Sequence, residues 1–282
     1  MRGIPRPLAL TALAIVLTAA GCQSSAKKHL YTAEDLFEKR DLKGAQTELR
    51  EAVKEDPNLT DAHNSLARVD EYLKDYDEAG KEFMIASQQD PTNQKTMAKA
   101  RYYRFLAQLT QQADKALDEV KGGDAEAGMK DLKAALQETK TKDSRDHVLG
   151  DIGQAIPVIV QQGDAQVAAG KNVDAVKTYS VAVNGYMYIA EATQKPIDPG
   201  ADPIMHKANE AAKAGNAPDM TFKLLNDVLT ADPDNKTANL ELAQVYLRRD
   251  PPDYSTAADL MERAGAPDAE VSKLRADAKK HR

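Results

Sequence analysis

The chain has 282 residues, of which 42% are hydrophobic and 29% charged, and its 38 Lys and Arg against 44 Asp and Glu leave a formal net charge of −6. It shows no basic face of the kind phosphate binding needs, so nucleic acid is not an expected partner. Ala, Leu, Lys, Glu and Gln are abundant, Trp is absent, and no stretch alternates apolar and polar residues long enough for a sheet, so the expected fold class is all-α.

In chain order, residues 1–21 read as a signal peptide. Arg2 and Arg6 precede an apolar run from Leu8 to Leu17, too short to cross a hydrocarbon core of roughly 30 Å as a helix. Thr18-Ala19-Ala20-Gly21 then leads to Cys22, the only cysteine. This run resembles the lipobox of bacterial lipoproteins, in which the Cys takes a diacylglyceryl group and becomes the first mature residue. Ala19 stands where that motif usually has Leu, and an ordinary cleavage before Gly21 is the competing reading. A lone thiol in an exported chain has no internal disulfide partner, which favours lipidation of Cys22. Residues 22–28 would then be the lipidated Cys and a short polar tether. Extended, Gln23 to Lys28 reach about 20 Å, with Lys27 and Lys28 placed to meet anionic head groups. By the sorting rule of enteric-type bacteria, Gln23 after the Cys implies the periplasmic face of the outer membrane.

Beyond the tether, Asp56-Pro57 and Asp90-Pro91 lie 34 residues apart, and Asp232-Pro233 heads a third stretch of the same grammar. The interval and the small residues around it resemble the tetratricopeptide repeat (TPR), a pair of short helices that must stack on its neighbours to bury its apolar face. The resemblance implies an α-solenoid of about six helix pairs, degenerate in the middle. The first pair places Ala33, Leu36, Ala45, Leu49, Ala52 and Pro57 at packing positions around a turn at Arg40-Asp41-Leu42. The second places Leu66, Ala67, Ala79, Phe83, Ala86 and Pro91 there, with Asp70 where a large residue is usual. From Asn93 to Val120 the pattern is one long helix with Leu106, Leu109, Ala113, Leu117 and Val120 on one side, stopped by Gly122-Gly123-Asp124. Leu132 and Ala135 follow in the next helix, the register of 93–160 stays open, and Pro157 either begins or kinks a helix. Gly163, Gly170, Ala175, Tyr179 and Ala182 mark a fourth pair whose second helix runs on through Tyr188. Residues 29–194 thus form an N-terminal segment, and the three prolines and a glycine of 195–203 read as a hinge. Residues 204–282 hold two more pairs, with Met205, Ala208, Ala212, Leu225, Val228 and Pro233 in one and Leu242, Ala243, Tyr246, Tyr254, Ala257, Met261 and Ala264 in the other. A charged capping helix from Asp268 ends the chain.

Signals for catalysis are weak. Six residues separate Gly163 from Gly170, where a phosphate loop has four, and Asn172 stands where that loop has Ser or Thr. His29, His63, His147, His206 and His281 are scattered and there is no second Cys, so no metal site is expected. No Gly-x-Ser-x-Gly elbow occurs. Tyr102-Tyr103-Arg104-Phe105 and Tyr186-Met187-Tyr188 fit packing better than ligand binding. No enzyme and no cofactor are expected. The TPR resemblance implies instead a groove that binds envelope proteins or peptide segments, lined by Asn64, Arg68 and Tyr72 in the second pair and by His206, Glu210, Lys213, Gln244 and Arg248 near the C-terminus. Leu30 and Glu34 occupy the positions where a carboxylate clamp has Lys and Asn, which argues against that mode of peptide binding. The expected function is a membrane-anchored, non-catalytic scaffold or assembly adaptor. Envelope lipoproteins of this kind include pilotins, outer-membrane assembly factors and adaptors for cell-wall hydrolases. The alternative is a periplasmic ligand-binding protein for peptides or cell-wall fragments.

Overall fold

Helix caps and small residues set this architecture. The computed structural model describes residues 11–281, the side chains of 11–24 and of Pro218 excepted. Arg2 and Arg6 therefore lie outside the described residues, as does the side chain of Cys22. Every regular element among the described residues is helical, and no described helix is long and apolar enough to cross a membrane. By internal packing the chain divides into two units, the first running through Gln108 and the second from Leu109 onward.

The first unit holds α1 (Thr11–Glu38), α2 (Leu42–Glu55), α3 (Thr60–Leu73), α4 (Tyr76–Gln89) and the start of α5 (Gln94–Lys121). Its repeat is written in its turns. Arg40 and Lys74, 34 residues apart, both take left-handed backbone, with φ of 64° and 63°. The next residues, Asp41 and Asp75, cap α2 and α4 by accepting from the backbone N–H of Gly44 and Glu78. Asp56 and Asp90 close the same helices, each donating its backbone N–H to the carbonyl four residues back, and the Pro that follows cannot continue the helix. Between these ends Ala45, Ala52, Ala62, Ala67, Ala79 and Ala86 are all fully buried. Residues that small let helix axes approach within about 8 to 10 Å.

Two polar details break the apolar pattern. Asp70, at a position expected to be large and apolar, is 1% exposed and accepts from Gln46 Nε2 at 2.6 Å. Burial pushes its carboxyl up to about 6, a rise the Gln46 hydrogen bond opposes. His63 is buried with both ring nitrogens engaged, Nδ1 at 2.5 Å from Glu82 and Nε2 at 3.0 Å from the Pro57 carbonyl. Burial alone would lower the imidazole, but Glu82 and Pro57 outweigh it, and its pKa is raised. His29 meets Glu48 at 2.6 Å in the same way, one repeat earlier.

The expected tether differs from the structure. α1 is helical through residues 22–28, and Ala26 is fully buried. At 1.5 Å per residue this stretch spans about 9 Å, not 20. Polar Gln, Ser and Lys are as compatible with the outer face of a helix as with an extended linker, and Ala26 gives that helix an inner face.

The second unit begins with the rest of α5. There Leu109, Ala113, Leu117 and Val120 are buried, and the turn after α5 passes through Gly123, whose φ of 108° only glycine takes without strain. Asp124 then caps α6 (Ala125–Glu138). A single helix, α7 (Lys142–Ala168), takes up both the expected helix from Ser144 and Pro157, which lies inside it and leaves the Gly153 carbonyl without its helical donor. α8 (Asn172–Thr193) runs past Tyr188 as expected. α7 and α8 pack around Tyr179, 2% exposed, whose hydroxyl donates to Asp164 at 2.6 Å. A Cβ on Gly163 would stand 2.5 Å from that ring, so this glycine serves helix packing and not a phosphate.

Within 195–203, Ile197 is buried, and Asp198 accepts from the Gly200 N–H to start a short 3₁₀ turn, Pro199–Ala201. α9 (Asp202–Ala214) follows with Pro203 in its first turn, where the missing N–H is harmless. α10 (Phe222–Ala231), α11 (Lys236–Leu247), α12 (Tyr254–Ala264) and α13 (Asp268–Lys280) complete the unit, with Met205, Ala208, Ala212, Leu225, Val228, Ala243 and Ala257 at 0% exposure. α13 buries Val271 and carries Lys279 and Lys280 in its last turn, opposite the helix dipole.

Candidate functional site

Four-residue spacing on α3 puts Asn64, Arg68 and Tyr72 along one side of the helix. Asn64 Oδ1 accepts from Thr96 Oγ1 at 3.0 Å, which ties α3 to the start of α5. The Arg68 guanidinium lies 5.5 Å from the centre of the Phe37 ring, and the Tyr72 ring meets that same ring edge-on at 5.2 Å. Tyr72 remains 59% exposed. Beside them a cleft of about 380 Å³ is lined by Asn64, Arg68, Phe83, Lys95, Thr96 and Lys99. Lys99 pairs with Glu71 at 2.6 Å and sits 5.2 Å from the Phe83 ring. The surface thus offers an aromatic plate, cations and amide groups, a combination suited to an extended protein segment with acidic or aromatic side chains. Phe37, Thr96 and Lys99 belong to this face although the repeat positions did not nominate them, because they come from neighbouring helices.

The C-terminal residues are also brought together, by two buried residues that the sequence reading missed. Glu241 on α11 is 3% exposed; its Oε1 lies 2.7 Å from His206 Nδ1 and its Oε2 accepts from Asn209 Nδ2 at 2.5 Å. Asn209, fully buried on α9, accepts at Oδ1 from Arg248 Nη1 at 3.1 Å and from Thr221 Oγ1 at 3.3 Å. Arg248 Nη2 reaches Gln244 Oε1 at 2.8 Å and Glu210 Oε1 at 3.5 Å, and Lys213 stands 3.9 Å from Glu210. His206, Glu210, Gln244 and Arg248 are therefore spent on one another and on this core. A side chain already held in several hydrogen bonds gives them up on binding a ligand, so this network joins α9 to α11 more readily than it grips a partner. Next to it the Arg249 guanidinium lies 4.6 Å from the centre of the Phe222 ring and 4.4 Å from that of Tyr246.

No protein-family model and no curated protein matches the sequence. Among solved structures, the chain resembles the TPR domain of P58(IPK) at 16% identity over 90% of this chain and 97% of that one, with a TM-score of 0.30. It also resembles the TPR2AB-domain:pHSP90 complex of yeast Sti1 at 15% identity, 91% and 95% coverage and a TM-score of 0.32. A third likeness is to Pseudomonas aeruginosa pilF at 16% identity, 90% and 82% coverage and a TM-score of 0.25. This chain is similar to solved TPR proteins. Its repeat is defined by recurrences of its own, Asp41 with Asp75, His29 with His63 and Glu48 with Glu82.

Proposed function

We propose that this protein is a lipid-anchored, non-catalytic scaffold or assembly adaptor of the cell envelope, which holds a segment of another protein against the α3 face. The observation that carries the reading is Tyr72, 59% exposed and held edge-on against the Phe37 ring, with Arg68 and a cleft of about 380 Å³ beside it. A large aromatic left in water on a rigid helix is a common anchor of protein interfaces, and Arg is the cation most often found with it. The anchor is Cys22, acylated after removal of residues 1–21, at the periplasmic face of the outer membrane; its support is the apolar run from Leu8 to Leu17 and the single thiol that follows. Acyl chains bury about 0.8 kcal/mol per methylene, enough for stable attachment when more than one chain is present.

Two measurements test the two halves. Cys22→Ser is expected to move the protein to the soluble fraction and to end labelling by a clickable fatty acid; unchanged membrane fractionation refutes the anchor. A photo-crosslinking residue at Tyr72 is expected to capture one discrete envelope protein, whereas the same probe at exposed Lys81 captures none. Equal capture from both positions refutes the α3 face.

A further inference from the structure

In the second unit, away from the surface at α9 and α11, Asp114 on α5 meets His147 and Asp151 on α7. His147 and Asp151 are four residues apart and so share a side of their helix. His147 Nε2 lies 3.4 Å from Asp151 Oδ2 and 3.5 Å from Asp114 Oδ1, and one ligand atom from each of the three residues lies within 4.8 Å of the others. The Asp151 side chain is 5% exposed. Both His147 Nε2 and Asp151 Oδ2 are buried without a hydrogen-bond partner. An unpartnered carboxylate oxygen away from water is costly and needs an explanation.

The surroundings turn that oxygen inward. Gln154 Nε2 donates to the other Asp151 oxygen, Oδ1, at 3.3 Å, which steadies the carboxylate and leaves Oδ2 for the imidazole side. Burial pushes the Asp151 carboxyl up, and Asp114 adds to this, while His147 and Lys121 act against it. Lys121 itself lies 3.5 Å from Asp118 and so has a carboxylate of its own.

A cation with nitrogen and oxygen ligands at about 2.0 to 2.2 Å holds tetrahedral ligand atoms about 3.3 to 3.6 Å apart. The separations of 3.4 and 3.5 Å around His147 Nε2 fall in that interval and are long for a charge-assisted hydrogen bond. We propose that Asp114, His147 and Asp151 bind a divalent transition-metal cation of the zinc type, with water completing the coordination. An imidazole with two carboxylates suits such a cation better than Mg²⁺ or Ca²⁺, which take oxygen ligands throughout. The site ties α5 to α7 in the stretch where the chain departs from the 34-residue interval, where added cross-helix restraint does most to fix register.

The test uses the full chain purified in detergent, stripped with a chelator and titrated with Zn²⁺, and with Co²⁺ as a spectroscopic probe. One ion per chain is expected, with imidazole NMR shifts at His147 and not at the other histidines. Asp114→Asn and His147→Asn, both at partly exposed side chains, are each expected to weaken Zn²⁺ binding at least about tenfold with unchanged helical circular dichroism. Asp118→Asn, the neighbouring carboxylate, leaves it unchanged. Absence of saturable binding below millimolar Zn²⁺, equal affinity in both variants and the parent, or a shift at His29 beside Glu48 and Glu55 in place of His147 would each overturn the assignment.

Discussion

Replacing Asp70 with Asn should stabilise the first unit at neutral pH, and the size of the effect follows from its burial. Asp70 is 1% exposed and its carboxyl is raised from 3.8 to about 6. Because the folded state holds this proton more tightly than the unfolded chain, the associated stability is fully present below pH 3.8 and is lost as pH rises through about 6. A rise of about two units at 1.36 kcal/mol each makes the loss about 3 kcal/mol. Asn is isosteric, carries no charge to bury, and its Oδ1 keeps the Gln46 amide as donor. Arg50 favours the charged form while Asp75 and Glu82 oppose it. Urea denaturation of both proteins from pH 4 to 8, with hydrogen exchange at α2 and α3 amides, measures the difference. It is expected to open from near zero at the acid end to about 3 kcal/mol in favour of the variant at the alkaline end. A difference that stays flat with pH, or a variant less stable at pH 8, would refute the reasoning.

His63 follows the same pH sense, because its protonated form too is favoured by the fold, but here removing the group destabilises. Its raised pKa contributes stability that is fully present below 6.5 and is lost as pH rises through the folded value, so His63→Asn should cost most at pH 6 and progressively less toward pH 8, read from the same denaturation series. Ala45→Leu and Ala79→Leu, at fully buried positions, should each overpack by about 1 to 3 kcal/mol, whereas Leu at exposed Lys54 and Lys81 should change the urea midpoint little. Gly163→Ala places a methyl group 2.5 Å from the Tyr179 ring and should destabilise the second unit by about 1 to 3 kcal/mol, and pairing it with Tyr179→Leu should recover part of that loss.

Much of the fold was legible because the repeat repeats its local chemistry. An Asp that caps one helix, an Asp-Pro that ends it and an Ala wherever helices touch recur at a fixed interval, and each acts within a few residues of itself. What was not legible depends on distant partners. Glu241 and Asn209 look like surface residues until α9 and α11 bring them together, and His147 meets Asp114 only through the packing of α5 on α7. Pro157 reads as a helix boundary by local rules, yet the apolar residues on either side, Ile152, Ala155, Ile156 and Ile159, bury one continuous face and carry the helix through it. The pairing of His29 and His63 with Glu48 and Glu82 is a 34-residue recurrence present in the sequence, but each partner stands 19 residues away on another helix, beyond the reach of local rules.

The central claim is that a partner protein is held by the α3 face and not by the hydrogen-bonded network at α9 and α11. The direct measurement is the affinity of the Tyr72-crosslinked partner for Arg68→Ala/Tyr72→Ala and for His206→Ala/Glu210→Ala/Arg248→Ala, each compared with the parent chain and checked for unchanged helical signal. The account predicts a loss above about 1 kcal/mol, or more than fivefold in affinity, for the α3 variant and little change for the other. Parent-like affinity in the α3 variant, with binding lost in the C-terminal one, would contradict it.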